Sequence, residues 1–139
     1  MSTSPNDFTA QIIEEFRANE GRVGGMFEGS TLLLLHHLGA KTGTERINPL
    51  AYDRDGDRYV IFASKGGAPT NPGWYHNLKA NPNVAIEVGR DTIDVVAAEA
   101  TGEERNRVFR RQTERSPAFA GYQAKTNRVI PVIVLTPTR

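Results

Sequence analysis

The sequence predicts a mainly β, α+β fold: a six-stranded antiparallel barrel with helices at the ends and in the longer crossovers. Two observations carry this. Six strand-like runs are joined mostly by hairpin-sized connections, with Asp55–Gly56 the strongest hairpin signal among them. Helical periodicity is confined to the N-terminal segment, a short piece after the central loop and a charged stretch late in the chain, which does not suit a doubly wound parallel sheet.

Taken in order, residues 1–6 are a polar tail. From Asp7 to Glu20 the apolar residues Phe8, Ile12, Ile13 and Phe16 recur at helical spacing, with Asn6 as a candidate cap. The stripe reads as core packing; its mixed charges do not favour the alternative of a membrane surface. GRVGGMFEG, four glycines in nine residues, is a connector. Thr31 to Leu38 (TLLLLHHL) reads as a buried strand, Gly39 to Gly43 as a turn, Arg46 to Tyr52 as the second strand and Arg58 to Ser64 as the third. A Gly- and Pro-rich loop, SKGGAPTNPGWYHNLKAN (Ser64 to Asn81), then contains a helical piece at Trp74 to Lys79, which Asn81–Pro82 stops. Val84 to Gly89 and Thr92 to Ala100 alternate as strands around a turn. Gly102 to Arg115 is a charged helix anchored by Val108 and Phe109, Ser116–Pro117 breaks it, and a short segment at Ala118 to Ala124 leads to the last strand, Arg128 to Leu135. At 139 residues the expectation is one domain spanning 1–139, with the tail and first helix at 1–20.

Composition narrows the function. The apolar share (38%) and charged share (24%) suit a soluble globular chain, and a net charge of +1 provides no global field for nucleic acid. Any anion site must therefore be local. With no cysteine, disulfides, thiolate metal sites and cysteine nucleophiles are excluded. No run is long enough to span a bilayer and no signal peptide is indicated, so the cytoplasm is the expected compartment.

Two loops hold the candidate chemistry. In the central loop, Gly66 and Gly67 can bring backbone N–H groups close to a ligand beside the Lys65 ammonium. In the turn GAKTGTER, Lys41, Thr42, Gly43 and Arg46 offer backbone donors, a hydroxyl and two cations to a phosphate or carboxylate. Each stretch by itself reads equally well as an ordinary basic surface loop. Neither a P-loop nor a GxGxxG fingerprint is present. Of the three histidines, His36 and His37 are adjacent on a strand and point to opposite faces, so no metal is expected. Two cationic Gly-rich loops with Trp74, Tyr75 and Tyr122 at hand suit a flat cofactor with an anionic tail that carries the chemistry itself.

The blocks EEFRANEGRVGGMFEG, LLLLHHLGAKTGTERINPL, ASKGG…P…WYHNLKANP and TNRVIPVIVL together resemble the deazaflavin-dependent nitroreductases, also called coenzyme F420-dependent quinone reductases, of actinobacteria. The resemblance implies a split β-barrel related to the FMN-binding barrel of pyridoxamine-phosphate oxidases. It also implies reduced F420 as hydride donor to a small-molecule acceptor: a quinone, a nitro compound or an activated enone. By the same resemblance, Lys41, Thr42, Gly43 and Arg46 contact the cofactor's anionic tail, with Ala40 standing where the family has Arg. Asn48, Pro49 and Leu50 lie along the deazaflavin, Ala63, Ser64, Lys65 and Gly66 form a second cofactor loop, and Pro72, Trp74, Tyr75 and Asn77 a third. Tyr122 and Phe119 are implied to line the acceptor pocket, Phe119 and Ser116 standing where the nitroreductase branch has tyrosines. Tyr122 and Ser64 are the candidate catalytic donors to the acceptor oxygen. An FMN-dependent oxidoreductase of the same fold and a non-catalytic deazaflavin carrier are the alternatives. A monomer or weak dimer is expected, with no nucleic-acid partner; the first helix is the element through which a peripheral membrane contact would be made.

Overall fold

The computed structural model describes residues 5–19, 32–64, 71–115, 117–126 and 129–138. Six strands close into one antiparallel barrel in the spatial order β1-β2-β3-β6-β5-β4. They are β1 (Leu32–Leu38), β2 (Glu45–Asp55), β3 (Arg58–Phe62), β4 (Asn83–Val88), β5 (Asp91–Ala100) and β6 (Val132–Pro137). Helix α1 (Pro5–Ala18) precedes the barrel, α2 (Gly73–Ala80) lies in the β3–β4 crossover, and α3 (Gly102–Arg115) and α4 (Ala118–Ala124) lie between β5 and β6.

The six strands and the charged helix fall where the pattern placed them, with differences at the ends. Strand β2 continues past Tyr52 to Asp55, because its Asp55↔Arg58 pair belongs to the hairpin ladder with β3. Strand β6 starts at Val132 rather than Arg128 and runs on to Pro137. The segment at Ala118–Ala124 is a helix, which its small and aromatic residues did not announce. Helix α1 begins at Pro5, upstream of the candidate cap Asn6; a proline in the first turn removes an N–H that would have no helical partner anyway.

The side-chain period of two sorts the apolar residues into an interior and two exterior clusters. Leu33 and Leu35 of β1, Tyr59 and Ile61 of β3, and Ile133 and Leu135 of β6 fill the barrel interior with Ile86 and Val95. Their neighbours face outward: Leu32 and Leu34 meet Ile12 and Phe16 of α1, while Val60, Phe62, Val132 and Val134 meet Val108 and Phe109 of α3. Strands β1, β3 and β6 are therefore covered on both faces, which is why LLLL and VIVL are uninterrupted apolar runs. Trp74 and Leu78, one turn apart on α2, close one end of the interior.

Ion pairs secure the helices. Arg17 of α1 holds Glu87 of β4 through two hydrogen bonds, at 2.6 and 3.1 Å, and Glu87 also bonds His36 Nε2 at 2.6 Å. Arg107, Arg111 and Arg115 form one stripe on α3, each a helical turn apart, against Asp53 and Asp55 of β2. Arg111 Nε donates to Asp53 Oδ2 at 2.9 Å and Arg115 donates to Asp53 Oδ1. Arg105 ties α3 to the end of the chain: its guanidinium donates to the Ile130 carbonyl at 2.8 and 3.1 Å and to Gln123 Oε1 of α4 at 3.0 Å.

Candidate functional site

The β1–β2 hairpin builds one end of the site. Its turn is closed by Gly39 N–H donating to the Thr44 carbonyl at 2.9 Å and Gly43 N–H donating to the Gly39 carbonyl at 2.8 Å. Gly43 has φ +70°, a left-handed conformation that other residues adopt with strain, and a side chain at Gly39 would start 2.6 Å from Thr42 Oγ1. The glycines thus let Lys41, Thr42 and Arg46 crowd onto one short turn. Below the turn, β2 pairs Arg46 with His37, Asn48 with Leu35 and Leu50 with Leu33. Arg46, Asn48 and Leu50 therefore share the face that points into the barrel mouth, whereas Ile47 and Ala51 face the α1 cluster.

A cleft of about 950 Å³ opens from this hairpin across the end of the barrel to α4. Lys41, Thr42 and Arg46 line its basic end, and Asn48, Leu50, Ser64 and Trp74 its floor. Pro72, Gly73, His76 and Asn77 come from the start of α2 and the residues before it. Phe62, Phe119 and Tyr122 form the aromatic end. There the rings pack edge to face, Phe62 with Phe119 at 5.5 Å and Phe119 with Tyr122 at 5.2 Å between centroids. Among the described residues no carboxylate pairs with Lys41 or Arg46.

The polar floor is one chain of hydrogen bonds. His37 Nε2 donates to Asn48 Oδ1 at 2.7 Å, Asn77 Nδ2 donates to His37 Nδ1 at 2.9 Å, and the Ala40 N–H donates to Asn77 Oδ1 at 2.9 Å. A side-chain amide oxygen only accepts and a side-chain amide nitrogen only donates, so the pattern requires a neutral imidazole with its proton on Nε2. Burial holds His37 below the ordinary histidine pKa, and the charge on Arg46 acts in the same direction, against the opposing hydrogen bond to Asn48.

Eleven of the proposed site residues meet in this cleft: Lys41, Thr42, Arg46, Asn48, Leu50, Ser64, Pro72, Trp74, Asn77, Phe119 and Tyr122. Lys65, Gly66 and Ser116 lie outside the described residues. Four do not line the cleft, and each has a physical reason. Tyr75 donates its hydroxyl to Glu99 at 2.7 Å, beside the Lys79 ammonium, and so pins α2 to β5. Ala63 is fully buried and its N–H is taken by the Pro131 carbonyl at 2.9 Å. Pro49 alternates away from Asn48 and Leu50, opposite Leu34 of the α1 cluster. Gly43 shapes the turn rather than facing the cleft. Conversely, His37, Gly39, Phe62, Gly73 and His76 were not singled out as site residues, yet they line it. For His37 the signal was present: the hairpin register sets it directly opposite Arg46.

The cleft suits an elongated ligand with a negatively charged end and a flat end: unpaired cations at one pole, a wall of rings at the other, and an oriented amide between them. Comparison with known proteins places the chain in a family. Residues 10–137 match the family described as F420H(2)-dependent quinone reductase. A curated F420H(2)-dependent quinone reductase of Mycobacterium tuberculosis (strain H37Rv) is 46% identical over 125 residues, covering 87% of this chain and 84% of that protein. Among solved structures, an F420-H2 dependent reductase (FDR-A) superposes with a TM-score of 0.69 at 41% identity, over 75% of this chain and 92% of its own. A second, a domain-swapped dimer, has a TM-score of 0.71 at 36% identity and covers 95% of this chain and 99% of its own. With the whole barrel inside the family match and a relative 46% identical over most of both chains, this chain belongs to the F420H(2)-dependent quinone reductase family, as an oxidoreductase whose cofactor is coenzyme F420.

Proposed function

We propose that the cleft holds reduced F420 with its anionic tail at the basic turn and its deazaflavin against Asn48, Leu50 and Trp74, and that the acceptor enters beside Phe119 and Tyr122. The observation that carries this reading is the continuity of the cleft: one space joins Lys41 and Arg46 to the rings of α4. The acceptor is a quinone, with nitro compounds and activated enones as further substrates of the same chemistry.

When bound, reduced F420 supplies a hydride. The chain supplies the rest. Lys41, Thr42 and Arg46 bind tail phosphate and carboxylate oxygens, each charge-assisted bond contributing about 1.5–3 kcal/mol. Pro72 and Trp74 hold the ring plane, and Trp74, 7% exposed and part of the barrel core, is fixed in place by that packing. Asn48 and Asn77 orient polar edges. Leu50, Phe62 and Phe119 exclude water, which strengthens each polar contact in the cleft. Tyr122, or the buried Ser64, donates a hydrogen bond and then a proton to the acceptor oxygen on which negative charge develops.

The reading includes a single 1–139 domain that works as a monomer or weak dimer in the cytoplasm, and a net charge of +1 supports the further expectation of no nucleic-acid partner. No helix among the described residues is long and apolar enough to cross a membrane. An absorbance spectrum of the purified protein, followed by titration with F420 and turnover with a naphthoquinone, tests the assignment. Tight F420 binding with quinone-dependent oxidation of its reduced form is the expected result; a co-purified flavin, or binding without turnover of any acceptor, would overturn it.

A further inference from the structure

We propose that His37 is a positioning residue of the cofactor site, acting through the relay Asn48–His37–Asn77–Ala40, and that it does so only as a neutral imidazole. The inference rests on the reading that the cleft takes F420.

The relay ties the β1–β2 hairpin, through His37, Asn48 and the Ala40 N–H of its basic turn, to Asn77 of α2, about forty residues further along the chain. Its direction is set at His37. With Nε2 donating to Asn48 Oδ1, the Asn48 NH2 group is left for the cleft, which Asn48 lines; among the described residues nothing else holds it. With Nδ1 accepting from Asn77, the Asn77 oxygen is left for the Ala40 N–H, next to Lys41. One imidazole thus aims a donor at the ring end of the cleft and anchors the turn at the tail end.

Protonation breaks the pattern. A proton on Nδ1 would face the NH2 of Asn77, donor against donor. Rotating the Asn77 amide relieves that contact but turns its NH2 toward the Ala40 N–H, so the turn loses its anchor in either case. The groups that bear on this titration come from every element around the ring. Arg46 of β2 and Lys41 of the turn oppose the added charge; Glu45 of β2 and Asp94 of β5, which line a neighbouring cavity with His37, favour it. His36 of β1 opposes the added charge as well, and His76 of α2 lines the same cleft. Burial of the ring tips the balance toward the neutral form.

The test is F420 affinity between pH 7.5 and 5.0 for the wild type, His37→Gln and His37→Leu, with the wild-type imidazole followed by 15N NMR. Gln keeps a donor near the Nε2 position but has no acceptor in place of Nδ1; Leu has neither. The wild type is expected to lose about tenfold in affinity toward pH 5 beyond any loss in His37→Gln, and His37→Leu to bind about tenfold more weakly at pH 7.5, the size of one net hydrogen bond. The NMR should show a neutral Nε2–H tautomer whose protonation midpoint coincides with the loss. A His37→Gln curve parallel to wild type, or an Nδ1–H tautomer at neutral pH, would overturn the relay. Failure of the wild type to bind F420 at pH 7.5 would instead overturn the cofactor reading, and the tautomer would then decide the relay alone.

Discussion

The chain carries two concentrations of positive charge, one in the turn from Gly39 to Arg46 and one along α3, and they are opposites in every respect but sign. Arg107, Arg111 and Arg115 all find carboxylates, and Asp53, their main acceptor, is only 4% exposed. Lys41 and Arg46 find none among the described residues and line a cleft instead. Paired charges on a buried carboxylate hold a helix to a barrel. Unpaired charges at the mouth of a cleft keep their attraction for a ligand. Charge density alone would have ranked α3 as the anion site; the location of the aspartates reverses that ranking.

Substitutions separate the two regions, and the largest expected effect is at the turn. Replacing Lys41 and Arg46 together by Ala should weaken F420 binding by about 2–5 kcal/mol, with the melting temperature little changed. Isothermal titration and a thermal melt on one sample check both halves, and unchanged affinity would dissolve the comparison. Next is Asp53→Ala, which strands the Arg111 and Arg115 contacts and should cost about 2–4 kcal/mol of stability in denaturant titrations, less than a fully buried pair because both arginines reach solvent. F420 affinity of the folded protein should not follow it. Tyr122→Phe touches neither set of cations. It should slow quinone reduction roughly 10–100-fold while leaving stability and cofactor affinity in place. Wild-type rates would pass the proton to Ser64 or water.

The smallest effect concerns pH. Arg107 foremost, with Arg58 assisting, lowers the Asp55 pKa from 3.8 to about 2 against the opposing effect of burial. Because the folded value lies below the ordinary one, the stabilisation from Asp55 is fully present above pH 3.8 and is lost as pH falls through about 2. Arg107→Ala should move this acid loss to higher pH. Urea midpoints between pH 5 and 2 report it, and identical profiles for the two proteins would remove Arg107 from the account.

Much of the site was legible before the fold was known, because it is local. GAKTGTER declares a turn, and period-two alternation from that turn puts Arg46, Asn48 and Leu50 on one face with His37 across from Arg46. The place of His37 in the cleft is harder to read, because adjacent strand residues diverge and a histidine pair by itself points only to a metal. Tyr75, by contrast, stays outside the cleft. Next to Trp74 it has the composition of a ring stack, but on a helix neighbouring residues diverge by about 100°, and it turns to Glu99 while Trp74 takes the cleft. The arginine stripe was visible as a charged helix, but nothing local showed that its partners lay on β2, more than 50 residues earlier.

What the residues determined by themselves was the set of strands, the hairpins β1–β2, β2–β3 and β4–β5, and the chemistry of the turn, since each follows from alternation and turn residues within a short window. The tertiary structure decided which sites those pieces make. Closure of the barrel pairs β1 with β4 and β3 with β6, setting Phe62, α2 and α4 around the same rim as the basic turn. Those pairings join apolar faces that are interchangeable in sequence, so only the simultaneous burial of all three clusters selects the arrangement, and with it the cleft.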